Sequence, residues 1–361
     1  MSRPAVAYID QAAFTQNIRF LQSQAPKSEL LLVIKADAYG HGVENLLSAF
    51  EGRRVAVACA EEALALFELG FSGEVVLLEG LFNEECVQKL SGTSAIFAIH
   101  SVEQLDQLEK LGYSGSVWLK LDSGMHRLGL NAAEFNECLR RIEVSEKIVL
   151  ETVMTHFASA DDRRSASMLS QVDCFKQMLS RSSLEQFSPK PSLSLCNSAA
   201  LLLHRELQEQ IVRPGIALYG GSAAPLIPSV KEGLQPVMHL KSEVIALREI
   251  DMGETVGYGD TWTALRKSRI ATVAMGYGDG YPRHAPSGTP VIVNGQRASI
   301  AGRVSMDLIT IDVTDIANVH LGSEVEFWGA ELSIDEVADH VGTISYQLCT
   351  AITGRVPRVP I

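Results

Sequence analysis

Between Glu29 and about residue 216 the chain alternates short apolar, β-branched runs with longer stretches of helical period. The strand candidates are 29–35 (ELLLVIK), 54–60 (RVAVACA), 74–80 (EVVLLEG), 94–100 (SAIFAIH), 116–122 (SVWLKLD), 148–156 (IVLETVMTH), 192–198 (SLSLCNS) and 211–216 (IVRPGI). Helix-like segments lie between most of them: 42–50, 61–70, 83–90, 101–112, 132–143, 165–183 and 198–207. Gly70 and Gly112 stand where helix C-caps belong. Strands that alternate with helices predict parallel βα units, and a count of eight predicts a closed (β/α)8 barrel of the TIM type rather than an open sheet.

The pattern changes after about Leu234. Short alternating runs at 239–250, 254–259, 269–277, 289–295, 296–304, 307–314 and 323–329 are broken by Gly, Asn and Pro. They predict an antiparallel β domain closed by helices near 333–342 and 345–353. The fold class is therefore α/β, with a barrel over 8–234 and a mainly-β domain over 235–361. The first few residues of the chain are expected to pack on the second domain.

Composition adds mostly exclusions. Apolar residues make up 46% of the 361 residues and charged ones 20%, enough for ordinary globular cores. The formal net charge of -12 and the lack of a dense Lys/Arg block argue against a nucleic-acid surface. Arg163–Arg164 follows Asp161–Asp162 and reads as a solvated loop. The six cysteines are scattered, with no CxxC or His/Cys cluster, so neither a metal site nor a disulfide framework is expected. No long apolar h-region opens the chain and no run approaches the roughly 18 residues of a membrane span. These absences point to a reduced, cytoplasmic setting without membrane contact.

The candidate chemistry collects at strand ends, where a barrel of this type keeps its functional groups. Lys35 ends the first run, Arg127 follows the fifth, and His156 ends the sixth. Asn197 and Ser198 end the seventh; Arg213 lies in the eighth, with Gly215 and Ile216 just beyond. A lysine amine desolvated at a barrel mouth is a nucleophile toward aldehydes, although a snorkelling structural lysine has the same sequence signature. Asn197 or Ser198 caps the helix of NSAALLL, and strands seven and eight of such barrels often hold a phosphate. An aldehyde and a phosphate on one ligand describe pyridoxal phosphate. The run GYGDGY at 276–281 does not fit a dinucleotide fingerprint.

Taken together, VIKADAYGHG, WLKLDSGMHRLGL, MTHFASAD, CNSAALL, VRPGIALYG, VGYGDTW, MGYGDGYPR, GRVSMD and RVPR resemble, in this order, the motifs of alanine racemases. The resemblance spans nearly the whole chain and implies the same barrel-plus-β architecture. It implies that Lys35 carries pyridoxal 5'-phosphate as a Schiff base, and that Tyr39, Ser198, Gly215 and Ile216 hold the phosphate. Arg213 would face the pyridine nitrogen, with His156 and Asn197 also at the cofactor. An arginine there does not give up a proton, so the ring stays a weaker electron sink. Arg127 would bind the substrate carboxylate, aided by the backbone amide of Met306.

Racemisation needs a base on each face of the α-carbon, and the resemblance names Lys35 and Tyr258. A phenol is a poor base at neutral pH, and a Tyr258–His156–Arg213 relay is the arrangement that helps it. Tyr258 and Tyr277 would reach the partner's barrel in a head-to-tail homodimer. Lys120, Tyr277 and Asp307 are supporting residues, and Lys120 is expected to be carboxylated by carbon dioxide, positioning Arg127. One departure stands out: some relatives carry Tyr just before RVPR, where this chain has Gly354; either the contact is absent or another group, with Tyr346 the candidate, replaces it. The implied activity is interconversion of L- and D-alanine, for cell-wall precursors or for alanine catabolism. The alternatives are a broader serine/alanine racemase, a decarboxylase of related fold, and a non-catalytic cofactor-binding protein; the last lacks a domain to supply Tyr258.

Overall fold

The computed structural model describes residues 3–224 and 233–361. Parallel strands Leu32–Val33, Val55–Val57, Val75–Leu77, Ala95–Ile99, Gly115–Lys120, Ile148–Met154 and Ser192–Ser194 pair in chain order. Most of their residues are buried on both faces, which is why they read as continuous apolar runs rather than alternating ones. The first strand changes partners within five residues. Glu29–Leu30 pairs with Ile211–Val212, then Leu32 and Val33 pair with Val55 and Ala56. The other seam is made by an Asn197–Arg213 bridge and by the Arg213 amide donating to the Cys196 carbonyl at 2.8 Å. These two seams close the ring of eight, as the strand count predicts.

Side chains start the intervening helices. Asn83, Ser101, Asn131 and Ser165 each accept an amide bond at an N-cap, and Asn131 with Glu134 forms a capping box. Gly70 and Gly112 follow their helices at φ +89° and +67°, the left-handed conformation that a C-cap glycine supplies.

In the second half, six strands form a closed antiparallel ring. The order is Ser268–Val273, Ile309–Asp312, Gln296–Ile300, Pro290–Val293, Glu324–Trp328 and Met238–Ile250, which returns to pair with Ser268–Val273. Met238–Ile250 is long enough to serve both sides because bulges at Leu240/Lys241 and Val244/Ala246 bend it. Val6–Ile9 adds to the same sheet, antiparallel to Met238–Ile250 and parallel to Arg358–Pro360. The two ends of the chain are thereby neighbours.

The helix Gln11–Gln24 is absent from the sequence reading. Its signals are present: Asp10 caps it, and Ala13, Phe14, Ile18 and Leu21 form a buried stripe. Asn17, buried within that stripe, breaks the apolar pattern. Its amide nitrogen donates to the Leu218 carbonyl at 2.9 Å and the Gln235 carbonyl at 2.8 Å; its oxygen accepts from the Gln235 amide at 2.7 Å. The residue thus ties the helix to the end of the barrel and to the start of the β domain. Replacing Asn17 with Ala strands buried backbone groups at both, so Asn17→Ala should cost about 2–4 kcal/mol. Chemical denaturation checks this: a loss under 1 kcal/mol would show that water or relaxation satisfies those groups.

Candidate active site

The first strand ends at Val33, two residues short of Lys35, and the backbone then does something the residue types do not announce. Ala36, Asp37, Ala38 and Tyr39 all lie in the left-handed region, at φ of 53–54° and ψ of 41–55°. For L-residues this costs about 1–2 kcal/mol each, hence about 4–8 kcal/mol over four. The neighbouring residues hold it. Glu62 accepts from the Ala36 amide at 2.7 Å and, with its other oxygen, from the Ala58 amide at 2.8 Å. Asp37 accepts from the Val43 amide at 2.7 Å. Nδ1 of His41 lies 3.0 Å from both the Ala38 and Tyr39 carbonyls, which fixes it as the protonated nitrogen. Burial drives the His41 pKa down to about 4, so the ring is neutral. Nε of Arg358 donates to the Gly40 carbonyl at 3.0 Å. Gly40 itself, at φ +78°, packs so tightly that a Cβ would lie 2.3 Å from the Cys349 carbonyl. The turn is therefore clamped by the barrel on one side and by helix Ser345–Ala351 on the other.

Lys35 opens into a cavity of about 630 Å³, a size suited to a small molecule. Tyr39, Lys120, Arg127, His156, Asn197, Ser198, Arg213, Gly215 and Ile216 line the same cavity. Glu79, Tyr346 and Gln347 also line it. Among the described residues Glu79 is the one carboxylate in a lining that holds four cationic side chains.

Arg213 is buried and its geometry is fixed. Nη1 donates to the Ser194 carbonyl and Oγ, both at 2.7 Å; Nη2 donates to the Thr155 carbonyl at 2.7 Å. Burial lowers its pKa to about 10, so it remains charged at neutral pH. Nδ1 of His156 lies 3.4 Å from Nη2 of Arg213 and accepts in that pairing. Desolvation first, then Arg213 and the other cations, push His156 down to about 3. Lys120 is lowered to about 8 by desolvation, then by Arg213, Arg127 and Lys35. Asn197 caps helix Ser198–Leu203 by accepting from the Ala200 amide, and Oγ of Ser198 accepts from the Gly215 amide at 2.8 Å. A Cβ on Gly215 would lie 2.5 Å from the Tyr39 hydroxyl.

Gly354 does not line this cavity, whereas Tyr346 does, its ring 5.9 Å from that of Tyr39. Tyr346 is a residue that sequence reasoning named only as a substitute. Glu62 it missed altogether: a glutamate in the first turn of a helix looks like ordinary favourable charge placement.

Tyr258, Tyr277, Met306 and Asp307 are not at this cavity. Tyr258 sits between Gly257 and Gly259 at the tip of the Thr255–Val256/Trp262–Thr263 hairpin and is 69% exposed. Tyr277 is 37% and Met306 54% exposed, and their segments bond side by side, the Gly278 amide to the Met306 carbonyl at 2.8 Å. Asp307 pairs with Arg355 at 2.6 Å. These groups form an exposed edge of the β domain.

A family model described as alanine racemase, N-terminal domain, matches residues 9–223, and one described as alanine racemase, C-terminal domain, matches 237–360. An alanine racemase of Stutzerimonas stutzeri (strain A1501) is 41% identical over 360 residues, covering 99% of each chain. A catabolic alanine racemase of Pseudomonas putida is 42% identical over 360 residues, covering 99% of this chain and 98% of its own. The crystal structure of the biosynthetic alanine racemase from Pseudomonas aeruginosa superposes with a TM-score of 0.93 at 40% identity, covering 99% of each chain.

The Glu62 bridge yields a test of what holds the turn. Glu62→Ala leaves the left-handed residues without their bond at Ala36, and hydrogen exchange at 36–42 should accelerate by at least about tenfold. Peptides from 95–99 should keep their protection, and Glu62→Gln, which retains one acceptor, should fall between. Unchanged exchange at 36–42 in Glu62→Ala would show that His41 and Arg358 suffice.

Proposed function

The chain belongs to the alanine racemase family, and we propose that it interconverts L- and D-alanine using pyridoxal phosphate attached to Lys35. The observation that carries this reading is the meeting of Lys35, fixed Arg213 and the Ser198–Gly215 contact in one cation-lined cavity.

The residues present fit that cofactor. A cavity with four cations and one carboxylate suits an anionic ligand. Tyr39, Tyr346, Ser198 and the backbone around Gly215 and Ile216 would hold the phosphate. With Nη1 and Nη2 bonded to the Ser194 and Thr155 carbonyls, Arg213 would have its Nε–H left to offer to the ring nitrogen. An arginine donates a hydrogen bond there without releasing its proton. Asn197 and His156 would complete the wall around the ring. When bound, the cofactor withdraws electrons from the substrate and acidifies its Cα–H.

The protein supplies the rest. Lys35 would act as the base on one face of the α-carbon. The opposite face needs a second base, and none of the cavity's own residues is a tyrosine other than Tyr39 and Tyr346 at the phosphate end. Tyr258, exposed on its hairpin, fills the role from a partner subunit, with neutral His156 and Arg213 placed to relay charge. Tyr277 and the Met306 amide would enter with it, and Asp307 supports their segment. Arg127 takes the substrate carboxylate. Lys120, at about 8, has an appreciable neutral fraction near physiological pH. The neutral amine adds carbon dioxide, releasing one proton, and the resulting anion would offset Arg127. Homodimerisation is thus part of the reading, as is a reducing cytoplasmic setting consistent with six unpaired cysteines. Relatives named both biosynthetic and catabolic leave both metabolic roles open.

Incubating the cofactor-loaded protein with L-alanine, followed by chiral chromatography, should show D-alanine accumulating toward an equal mixture. Lys35→Ala should abolish both this and the visible absorbance of lysine-bound cofactor; retention of that absorbance would remove Lys35 from its role. L-serine in place of alanine measures the breadth of the substrate pocket.

The partner assignment has its own test. In a mixed dimer of a Lys35→Ala chain and a Tyr258→Phe chain, one site carries both lesions and the other neither, provided Tyr258 acts across the interface. Such a heterodimer, purified through two tags, should recover about half the wild-type activity, because a twofold interface rebuilds one site in two. Activity no higher than in either parent homodimer would place Tyr258 at its own barrel.

A further inference from the structure

Arg127 sits in an unusual position for a residue that must present a guanidinium accurately. It is exposed, and no hydrogen bond or ion pair holds its side chain among the described residues. Lys35 and Arg213 line the same cavity, so like charge pushes Arg127 outward. The loop that carries it, 122–130, must supply the opposing restraint.

The root of that loop is well secured. The Asp122 amide donates to the Leu130 carbonyl at 3.0 Å, and the Leu130 amide to the Lys120 carbonyl at 2.8 Å. Gly129, at φ +143°, lets the two limbs close, since a Cβ there would lie 2.4 Å from the Asp122 nitrogen. Oγ of Ser123 and Oγ1 of Thr155 are 2.8 Å apart, and Oγ1 of Thr155 donates to the Leu121 carbonyl at 3.1 Å. Thr155 is the residue whose carbonyl holds Arg213. The root is therefore tied to the centre of the site.

The tip is held by one side chain. Oδ1 of Asp122 accepts from the Gly124 amide at 2.9 Å and from the His126 amide at 3.0 Å. Oδ2 of Asp122 lies 3.0 Å from Nδ1 of His126. His126 occupies the left-handed region at φ +57°, one of the few residue types besides glycine that reach it with some frequency. Asp122 is also the sole carboxylate between Leu121 and Leu130. Desolvation raises its carboxyl, but the bonds from the His126 and Gly124 amides outweigh that and hold it below its ordinary value. The two amide bonds matter most, because the His126 side chain is 83% exposed and an exposed pair contributes little alone.

We propose that Asp122, assisted by His126, is a positioning residue that folds the 124–126 turn back on its own root and so fixes Arg127 over the cavity against the repulsion of Lys35 and Arg213. The assignment rests on the reading of Arg127 as the carboxylate-binding residue. Asp122 does not touch substrate or cofactor. It converts an otherwise mobile cation into a preorganised one, and its loss lowers the affinity for a carboxylate by the cost of ordering the loop on binding.

The test uses the cofactor-loaded enzyme and two probes: L-alanine, and propionate as a competitive inhibitor that has the carboxylate but no amine. Arg127→Gln is the control for the underlying reading and should raise the propionate inhibition constant by about 100-fold, the scale of a lost charge-assisted pair. Asp122→Ala should raise both that constant and the alanine KM by about tenfold, with the loss falling on KM rather than kcat. The visible absorbance and melting temperature of Asp122→Ala separate this from unfolding, and should stay near those of the parent. His126→Ala should show a smaller rise than Asp122→Ala. His126→Asn, which tolerates the left-handed turn and can still donate to Asp122, should recover part of that loss. A rise with Arg127→Gln but none with Asp122→Ala overturns the positioning role and leaves the Arg127 reading standing. No rise with Arg127→Gln overturns that reading, and the positioning role with it. An Asp122→Ala protein that has lost its absorbance makes Asp122 a fold residue and likewise overturns the proposal; the His126 pair then gives an independent second refutation if its two variants are alike.

Discussion

Four consecutive left-handed residues without a glycine among them are an expensive way to leave a strand. Everything at the cavity depends on that turn. It is what turns the chain after Lys35 and brings Tyr39 back beside Gly215, just beyond the adjoining eighth strand. A right-handed helix beginning at the same place would carry residue 39 off along its own axis and separate it from strand eight. The cost is met from three directions: Glu62 from the second βα unit, His41 from within the turn, and Arg358 with Cys349 from the β domain. The loop that follows Lys35 is thus built from both halves of the chain, so the β domain contributes to this cavity within the same chain.

The second constraint is electrostatic. A chain with a net charge of -12 places Lys35, Lys120, Arg127 and Arg213 around one cavity with a single carboxylate. Such a concentration is tolerable for different reasons at each position. Arg213 has carbonyl acceptors at 2.7 Å, which stabilise its charge within the core. Lys120 has no such partners, and its pKa falls to about 8. Arg127 escapes into solvent at the rim. A ligand that is anionic at more than one point would offset these charges.

How much of this the sequence disclosed follows from which interactions are local. The eight barrel runs were legible because strands buried on both faces are continuously apolar, and the helix limits because caps such as Asn131 with Glu134 are coded within four residues. Helix Gln11–Gln24 was not legible, because the buried amide of Asn17 sits in its apolar stripe, and only the distant Leu218 and Gln235 backbone explains it. The cavity residues were recognisable from strand ends together with the family motifs. The left-handed turn was not, since Ala-Asp-Ala-Tyr carries no preference for it and every group that enforces it lies elsewhere or acts through the backbone. For the same reason Tyr346, eight residues before Gly354, could be named only as a candidate substitute, and it lines the cavity where Gly354 does not.

The exposed edge of the β domain completes the argument about assembly. A tyrosine 69% exposed between two glycines at φ +79° and +73° is poorly placed for stability and well placed to be presented. The glycines set the loop against Arg303, whose backbone nitrogen would be 3.5 Å from a Cβ on Gly257, while Met306 lies three residues further on. The segments that carry Tyr277 and Met306 are joined by backbone bonds, from the Tyr277 amide to the Ser305 carbonyl and from the Gly278 amide to the Met306 carbonyl, and they are braced further. Asp279, buried, takes Arg3 at 2.7 Å and Arg355 at 3.3 Å, so residues near both chain ends hold the turn that carries Tyr277. A buried carboxylate between two arginines is a stiff mount, and breaking one arm leaves charge uncompensated in the core. On the proposed reading, that stiffness would serve a second barrel that receives a proton-transferring group on the face of the α-carbon that Lys35 does not cover.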